Sequence, residues 1–165
     1  MNPMNIRWQW VSFNELTTTE LYALLQLRQE VFAVEQNCVY QDLDGRDQQS
    51  LHLLGWMTTE EAEQLVAYVR VLPPGVAYNE CSIGRFVTAL SVRGTGFGKA
   101  LMNEALRNLY REYPNQAVRI SAQHHLEGVY AKYGFKAASE PYMEDGIPHI
   151  AMVLEVADAP VASEQ

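Results

Sequence analysis

The chain has 165 residues, 48% of them hydrophobic, and a formal net charge of −8. That length fits one domain over residues 1–165, with a core that needs no disulfide or metal staple. The acidity excludes a basic nucleic-acid surface, which requires clustered Lys and Arg, and it would suit a cationic substrate such as an amine. No apolar run reaches the about 18 residues of a membrane span. Met1-Asn2-Pro3-Met4-Asn5 lacks the basic-then-apolar layout of a secretory signal, so the cytoplasm is the expected compartment. Cys38 and Cys81 have no metal-ligand spacing and are expected as reduced, partly buried thiols.

Ile6 to Phe13 alternates apolar and polar residues and predicts a strand. Thr17 followed by Glu20 fits a capping box, with Thr17 as N-cap. Leu21, Leu24, Leu25, Arg28, Val31, Phe32 and Glu35 then share one mostly apolar helical face. Gln41 to Ser50 reads as a polar loop carrying Asp42, Asp44 and Asp47. It has the alternating acids of a calcium loop. The bidentate Glu is missing, because Leu53 falls at the twelfth position, so no metal is expected. The loop is instead a candidate wall of an amine pocket, together with Glu35.

Leu51 to Thr58 and Gln64 to Leu72 predict an antiparallel hairpin across an acidic turn, ended by Pro73-Pro74-Gly75. Ser82 to Thr88 is the next strand. A loop with glycines at alternate positions, Gly94, Gly96 and Gly98, follows, and then a helix over Leu101 to Tyr110. Ala117 to Ala122 predicts a strand. Leu126 to Tyr133 predicts a helix closed by Gly134. Phe135 to Ser139 and His149 to Val156 are the last strands, with Asp145-Gly146-Ile147-Pro148 as the turn between them. Residues 157–165 form a small, polar tail expected to fray. The order β-α-β-β-β-α-β-α-β-β predicts an α/β (α+β) fold: a mixed, mostly antiparallel central sheet flanked by helices.

The glycine loop carries the chemistry. A Gly-rich turn from strand to helix gathers backbone N–H groups at a helix N-terminus, where they can hold phosphate. An ATP-type P-loop is excluded, because Gly98-Lys99 is followed by Ala100 and Arg93 stands where the first Gly should fall. A dinucleotide fingerprint is excluded by the G-x-G-x-G spacing after a hairpin.

The spacing Arg93-x-x-Gly96-x-Gly98 resembles the acyl-CoA loop of the GCN5-related N-acetyltransferase (GNAT) superfamily. Tyr130-Ala131-Lys132-Tyr133-Gly134-Phe135 is similar to that superfamily's second segment, one strand downstream. Leu27 to Gln36, Tyr40 to Gly45, His52-Leu53 and Glu144 to His149 resemble the ElaA subfamily. Ala89-Leu90-Ser91-Val92 departs from relatives that carry Pro-Glu before the Arg. The resemblance covers about residues 6 to 156.

It implies the GNAT fold and an N-acetyltransferase that moves the acetyl group of acetyl-CoA to a primary amine by direct attack. The alternative it leaves open is an acyl-CoA-binding sensor or interaction module without catalysis. Implied cofactor-binding residues are Arg93, Gly94, Thr95, Gly96, Phe97, Gly98 and Lys99 for the pyrophosphate. Phe86, Val87 and Thr88 would pair with the pantetheine arm, and Gln123 and His124 would touch the cofactor. Tyr130 matches the position of the general acid toward the coenzyme A sulfur, since a phenol is protonated at neutral pH. Tyr133 is expected in the core. Base candidates are His52, Glu80, His124, His125, Glu127 and His149. His52 and His149 rank first on the acceptor side, because histidine titrates near neutrality. Expected partners are acetyl-CoA and an amine acceptor, without nucleic acid or membrane; a homodimer stays open.

Overall fold

A computed structural model describes residues 5–37 and 40–155. The expectations for Cys38, for Val156 and for the tail 157–165 lie outside the described residues. Cys81 is buried and free, as expected.

The strands are β1 (Ile6–Ser12), β2 (Leu51–Thr58), β3 (Glu63–Leu72), β4 (Cys81–Thr88), β5 (Val118–Gln123), β6 (Lys136–Ala137), β7 (Tyr142–Glu144) and β8 (Ile147–Leu154). The helices are α1 (Thr18–Arg28), α2 (Phe97–Glu112) and α3 (Glu127–Ala131). The strands form one sheet in the order β1-β2-β3-β4-β5-β8-β6, with β7 also paired to β8. Among the described residues only the β4–β5 pair is parallel. The mixed, mostly antiparallel sheet is thus the one expected.

Alternation along the strands sends neighbours to opposite faces. Leu53, Val69, Val71 and Ile83 meet Leu101, Ala105 and Leu109 of α2 on one face. Leu54, Trp56, Tyr68 and Val87 meet Leu24 and Leu27 of α1 on the other. Three layers result, with a core on each side of the sheet.

The Thr17 capping box forms: Glu20 N–H donates to the Thr17 hydroxyl at 3.1 Å, and Thr17 N–H donates to the Glu20 carboxylate at 2.9 Å. The helical register changes after Arg28. Gln29–Glu35 winds as a π-helix rather than as the continuous α-helix expected from the apolar face. Such wide turns concentrate at functional sites. Helix α2 starts at Phe97, four residues before the expected Leu101, and α3 is shorter than predicted. The turn between the last expected strands is a hairpin: β7 pairs with β8 around Asp145-Gly146.

Candidate active site

Strands β4 and β5 pair only at Cys81↔Val118 and Ser82↔Arg119, then separate. The cause lies in β4. Against β3, Tyr68 faces Val87 and Arg70 faces Gly84, so Arg85 and Phe86 together oppose Val69. This is a β-bulge, which bends the strand that carries it. Its first residue, Arg85, has φ 53°, the left-handed region that glycine normally occupies there. The strain costs roughly 1–3 kcal/mol. Anchors offset it: Arg85 Nε lies 2.6 Å from Asp42 Oδ1, and Nη2 donates to the Asp42 carbonyl at 3.0 Å. Its guanidinium also lies over the Tyr40 ring, 5.6 Å from the centroid.

The separation opens a slot through the sheet, a cavity of about 490 Å³. Ile83, Gly84, Arg85 and Phe86 line one side, Ile120, Ser121 and Gln123 the other. Met102 reaches it from α2, and Phe32 from the π-helix. Tyr130 and His149 both face this slot. Past Ser82, β4 has no β5 partner, so its backbone groups on that edge are open to a ligand's amides.

The glycine loop leaves the end of β4. Gly94 and Gly96 have φ 79° and 88°, conformations that need glycine. The first bond of α2 runs from Ala100 N–H to the Gly96 carbonyl at 3.1 Å. The N–H groups of Phe97, Gly98 and Lys99 therefore have no intrahelical partner, the arrangement at a helix N-terminus that can receive an anion. A Cβ at Gly98 would meet no atom within 4 Å. The Phe97 side chain is buried with Met57, Val66 and Val92, so only its backbone can serve a ligand. The Thr95 hydroxyl donates to the Val92 carbonyl and tightens the turn. Arg93 does not point freely outward. It pairs with Glu35 and donates to the Thr88 carbonyl at 3.0 and 3.3 Å, tying the loop to the π-helix. Glu35 is thus committed to Arg93.

Tyr130 packs edge-on against Phe135 at 6.2 Å. Among the described residues its hydroxyl has no hydrogen-bond partner. Burial, with a smaller contribution from Tyr133, raises its pKa above the ordinary phenol value, so it stays protonated at neutral pH. Tyr133 packs, partly buried, against the main core, as expected.

His149 is held from two sides. Its Nδ1–H donates to the Ile147 carbonyl at 2.8 Å, and Nε2 lies 3.4 Å from Glu144. Tyr142 stacks on its ring at 6.3 Å. The Ser121 and Tyr142 hydroxyls bond to each other, and Ser121 donates to Glu144 at 3.1 Å. With Nδ1 committed as donor, a neutral ring leaves Nε2 as an acceptor of protons.

His52 sits elsewhere. It is fully buried and does not line the slot. The Asp47 carbonyl, 2.9 Å away, must accept from Nε2–H, so Nδ1 accepts from the Tyr68 hydroxyl at 2.7 Å. Both nitrogens are consumed, and the acceptor-side role expected of His52 has no geometric support. Burial lowers its pKa below the ordinary 6.5. The sign follows: the native state resists protonation, so this stabilisation is complete above the unfolded value and declines as pH falls below it. Melting temperature should therefore begin to drop below about pH 6.5, and His52→Gln should flatten that slope; an unchanged slope would show that His52 does not cause it.

Gln123 lines the slot, but His124 does not; its neighbour His125 does. His124 lies on the surface, 3.7 Å from Glu127. Glu80 lies near Arg119, outside the slot. The Asp loop is a charge network centred on the buried Asp47. Asp47 accepts from Arg28 at 2.8 Å and from Arg70 at 3.0 Å, Asp44 from Arg70 at 2.8 Å, and Asp42 from Arg28 at 2.9 Å. No metal-binding cluster occurs among the described residues. Arg85, Ser121 and Tyr142 escaped the sequence reading, because nothing local marks a bulge or a cross-strand pair.

The chain and its fold have counterparts among known proteins. The family model described as Acetyltransferase (GNAT) domain matches residues 21–156. The protein ElaA of Escherichia coli is 44% identical over 156 residues, covering 93% of this chain and 99% of that one. A UPF0039 protein of Synechocystis is 44% identical over 153 residues, covering 93% and 97%. The crystal structure of an acyl-CoA N-acyltransferase from Pseudomonas aeruginosa superposes with a TM-score of 0.84 at 45% identity, covering 90% of this chain and 98% of that one. The crystal structure of Escherichia coli ElaA gives 0.82 at 42%, covering 91% and 99%. With its fold and most of its length shared, the chain belongs to the GNAT acetyltransferase family, and to the ElaA-like branch within it.

Proposed function

We propose that the protein is a cytoplasmic N-acetyltransferase that moves the acetyl group of acetyl-CoA onto a primary amine. The observation that carries the reading is the slot itself, with the phenol of Tyr130 and the held imidazole of His149 along its walls and a glycine loop with unpaired N–H groups following the strand that forms one side.

Acetyl-CoA supplies the activated acyl group. The pyrophosphate sits on the N–H groups from Gly94 to Lys99, with Lys99 adding charge while Arg93, paired with Glu35 and the Thr88 carbonyl, holds the loop in shape, and the pantetheine amides pair with the open edge at Phe86 and Val87. A β4 N–H faces the thioester oxygen, where negative charge grows. The neutral amine attacks the carbonyl carbon. The new C–N bond forms, the C–S bond breaks, and the thiolate takes the Tyr130 proton. The surplus proton of the attacking nitrogen passes to His149 Nε2, and exchange with water returns both side chains to their starting forms. Glu144 stabilises the imidazolium.

Tyr130→Phe should lower kcat by about 10²-fold, and His149→Gln by a similar factor, while both variants keep the affinity for acetyl-CoA. Free-thiol release and calorimetric titration with acetyl-CoA separate the two effects. If both variants turn over at the parent rate, these roles are wrong. If the protein binds acetyl-CoA tightly yet releases no thiol with any amine or peptide, it is an acyl-CoA-binding module.

A further inference from the structure

A second cavity, also about 490 Å³, lies between α1, the π-helix and residues 40–43. Phe32 and Tyr40 line both cavities, so the two share a wall. We infer that this second cavity holds the non-reacting part of the acceptor, and that this part is an uncharged, partly aromatic body. The inference rests on the N-acetyltransferase reading and adds the class of amine.

Three observations point the same way. The lining is largely apolar: Tyr22, Leu25, Phe32, Ala33, Tyr40 and Leu43, with Gln26 and Gln29 as neutral hydrogen-bonding groups. Leu43 and Tyr22 stay exposed at 55% and 73%, large apolar surfaces left for a ligand to cover. The charges there are already matched. Arg28 is fully buried and pairs with Asp42 and Asp47, while Asp42 also pairs with Arg85.

The net acidity of the chain would suggest a polycation, but the acids beside this cavity are used internally. A second ammonium placed here would lose its hydration without a free carboxylate to replace it. The slot, in contrast, presents Glu144 and Asp145 next to His149. One ammonium can be received there, lose its proton and react. The geometry thus suits one amine on an apolar body: an arylalkylamine, or a compound that presents its amine in the same way.

The experiment uses the full chain with acetyl-CoA and compares phenethylamine with spermidine by thiol release. In parallel, heat protection by each amine is read with coenzyme A present, which needs no turnover. Phenethylamine should exceed spermidine by about tenfold or more in kcat/KM, and it alone should add protection. Ala33→Trp, which fills the cavity, should raise the KM for phenethylamine about tenfold without changing protection by acetyl-CoA. Leu43→Asp, on the exposed rim, should act in the same direction if Ala33→Trp fails to fold. Preference for spermidine, or an unchanged KM in the folded variants, overturns the inference. Protection by phenethylamine without thiol release supports the cavity's role and counts against the transfer reading instead.

Discussion

Gly98→Glu should sharply weaken coenzyme A binding while leaving the fold intact. A Cβ at Gly98 meets nothing within 4 Å, and the residue has ordinary helical backbone in the first turn of α2. The new side chain therefore adds no clash to the protein alone, and a carboxylate near a helix N-terminus is mildly favourable. With a pyrophosphate on the neighbouring N–H groups, the same carboxylate opposes like charge and fills the approach. Such a juxtaposition costs several kcal/mol, so binding should weaken by about 10²-fold or more. Titration calorimetry reads the affinity and thermal melting reads the fold. Parent-like affinity in the folded variant would place the phosphates elsewhere.

Asp47→Ala should cause the largest loss of stability of any single change in the acidic loop. Asp47 is 7% exposed and bridges Arg28, which is 0% exposed, to Arg70, which is 3% exposed. Burial pushes the Asp47 carboxyl upward, but the hydrogen bonds and charges of Arg28 and Arg70 outweigh it and hold it below the usual range. The network therefore stays ionised at neutral pH. Removing the shared acid leaves two buried guanidinium groups short of a partner, which costs about 3–5 kcal/mol. For a chain of this size, each kcal/mol shifts melting by roughly 2–4 °C, so a drop of about 10 °C is expected. A drop below about 2 °C would mean that water or other acids replace Asp47. Because the network also holds Arg85 and so the bulge, the variant should lose affinity for acetyl-CoA as well.

The parts of this molecule that were legible in the sequence are those coded locally. The Thr17 capping box, the β2–β3 hairpin and the strand–glycine loop–helix unit each carry their signal within a few residues. The early start of α2 escaped because Gly96 and Gly98 depress helix propensity, although a first turn needs little of it. The π-helix escaped because the apolar face fits either winding. The three residues of β7 are too few for alternation to register. Long-range features were least visible. Asp42, Asp44 and Asp47 look like a solvated or metal-binding loop until Arg28, Arg70 and Arg85, from three other elements, are brought beside them. His52 stands in a family-like motif, yet Tyr68 and the Asp47 carbonyl make it structural. His149 could be told apart from it only by its place in the slot.

Acetyl-CoA is proposed to lie in the slot between β4 and β5, with its phosphates on the Gly94–Lys99 loop. Melting of the unmodified protein in millimolar acetyl-CoA tests it most directly, with ATP and NAD as controls. At about 100 times Kd, binding stabilises by roughly 2.7 kcal/mol, and melting should rise by about 5–10 °C. ATP and NAD should give little or none of that rise. An unchanged melting temperature in acetyl-CoA, or equal protection by ATP, would contradict the assignment of this loop to coenzyme A.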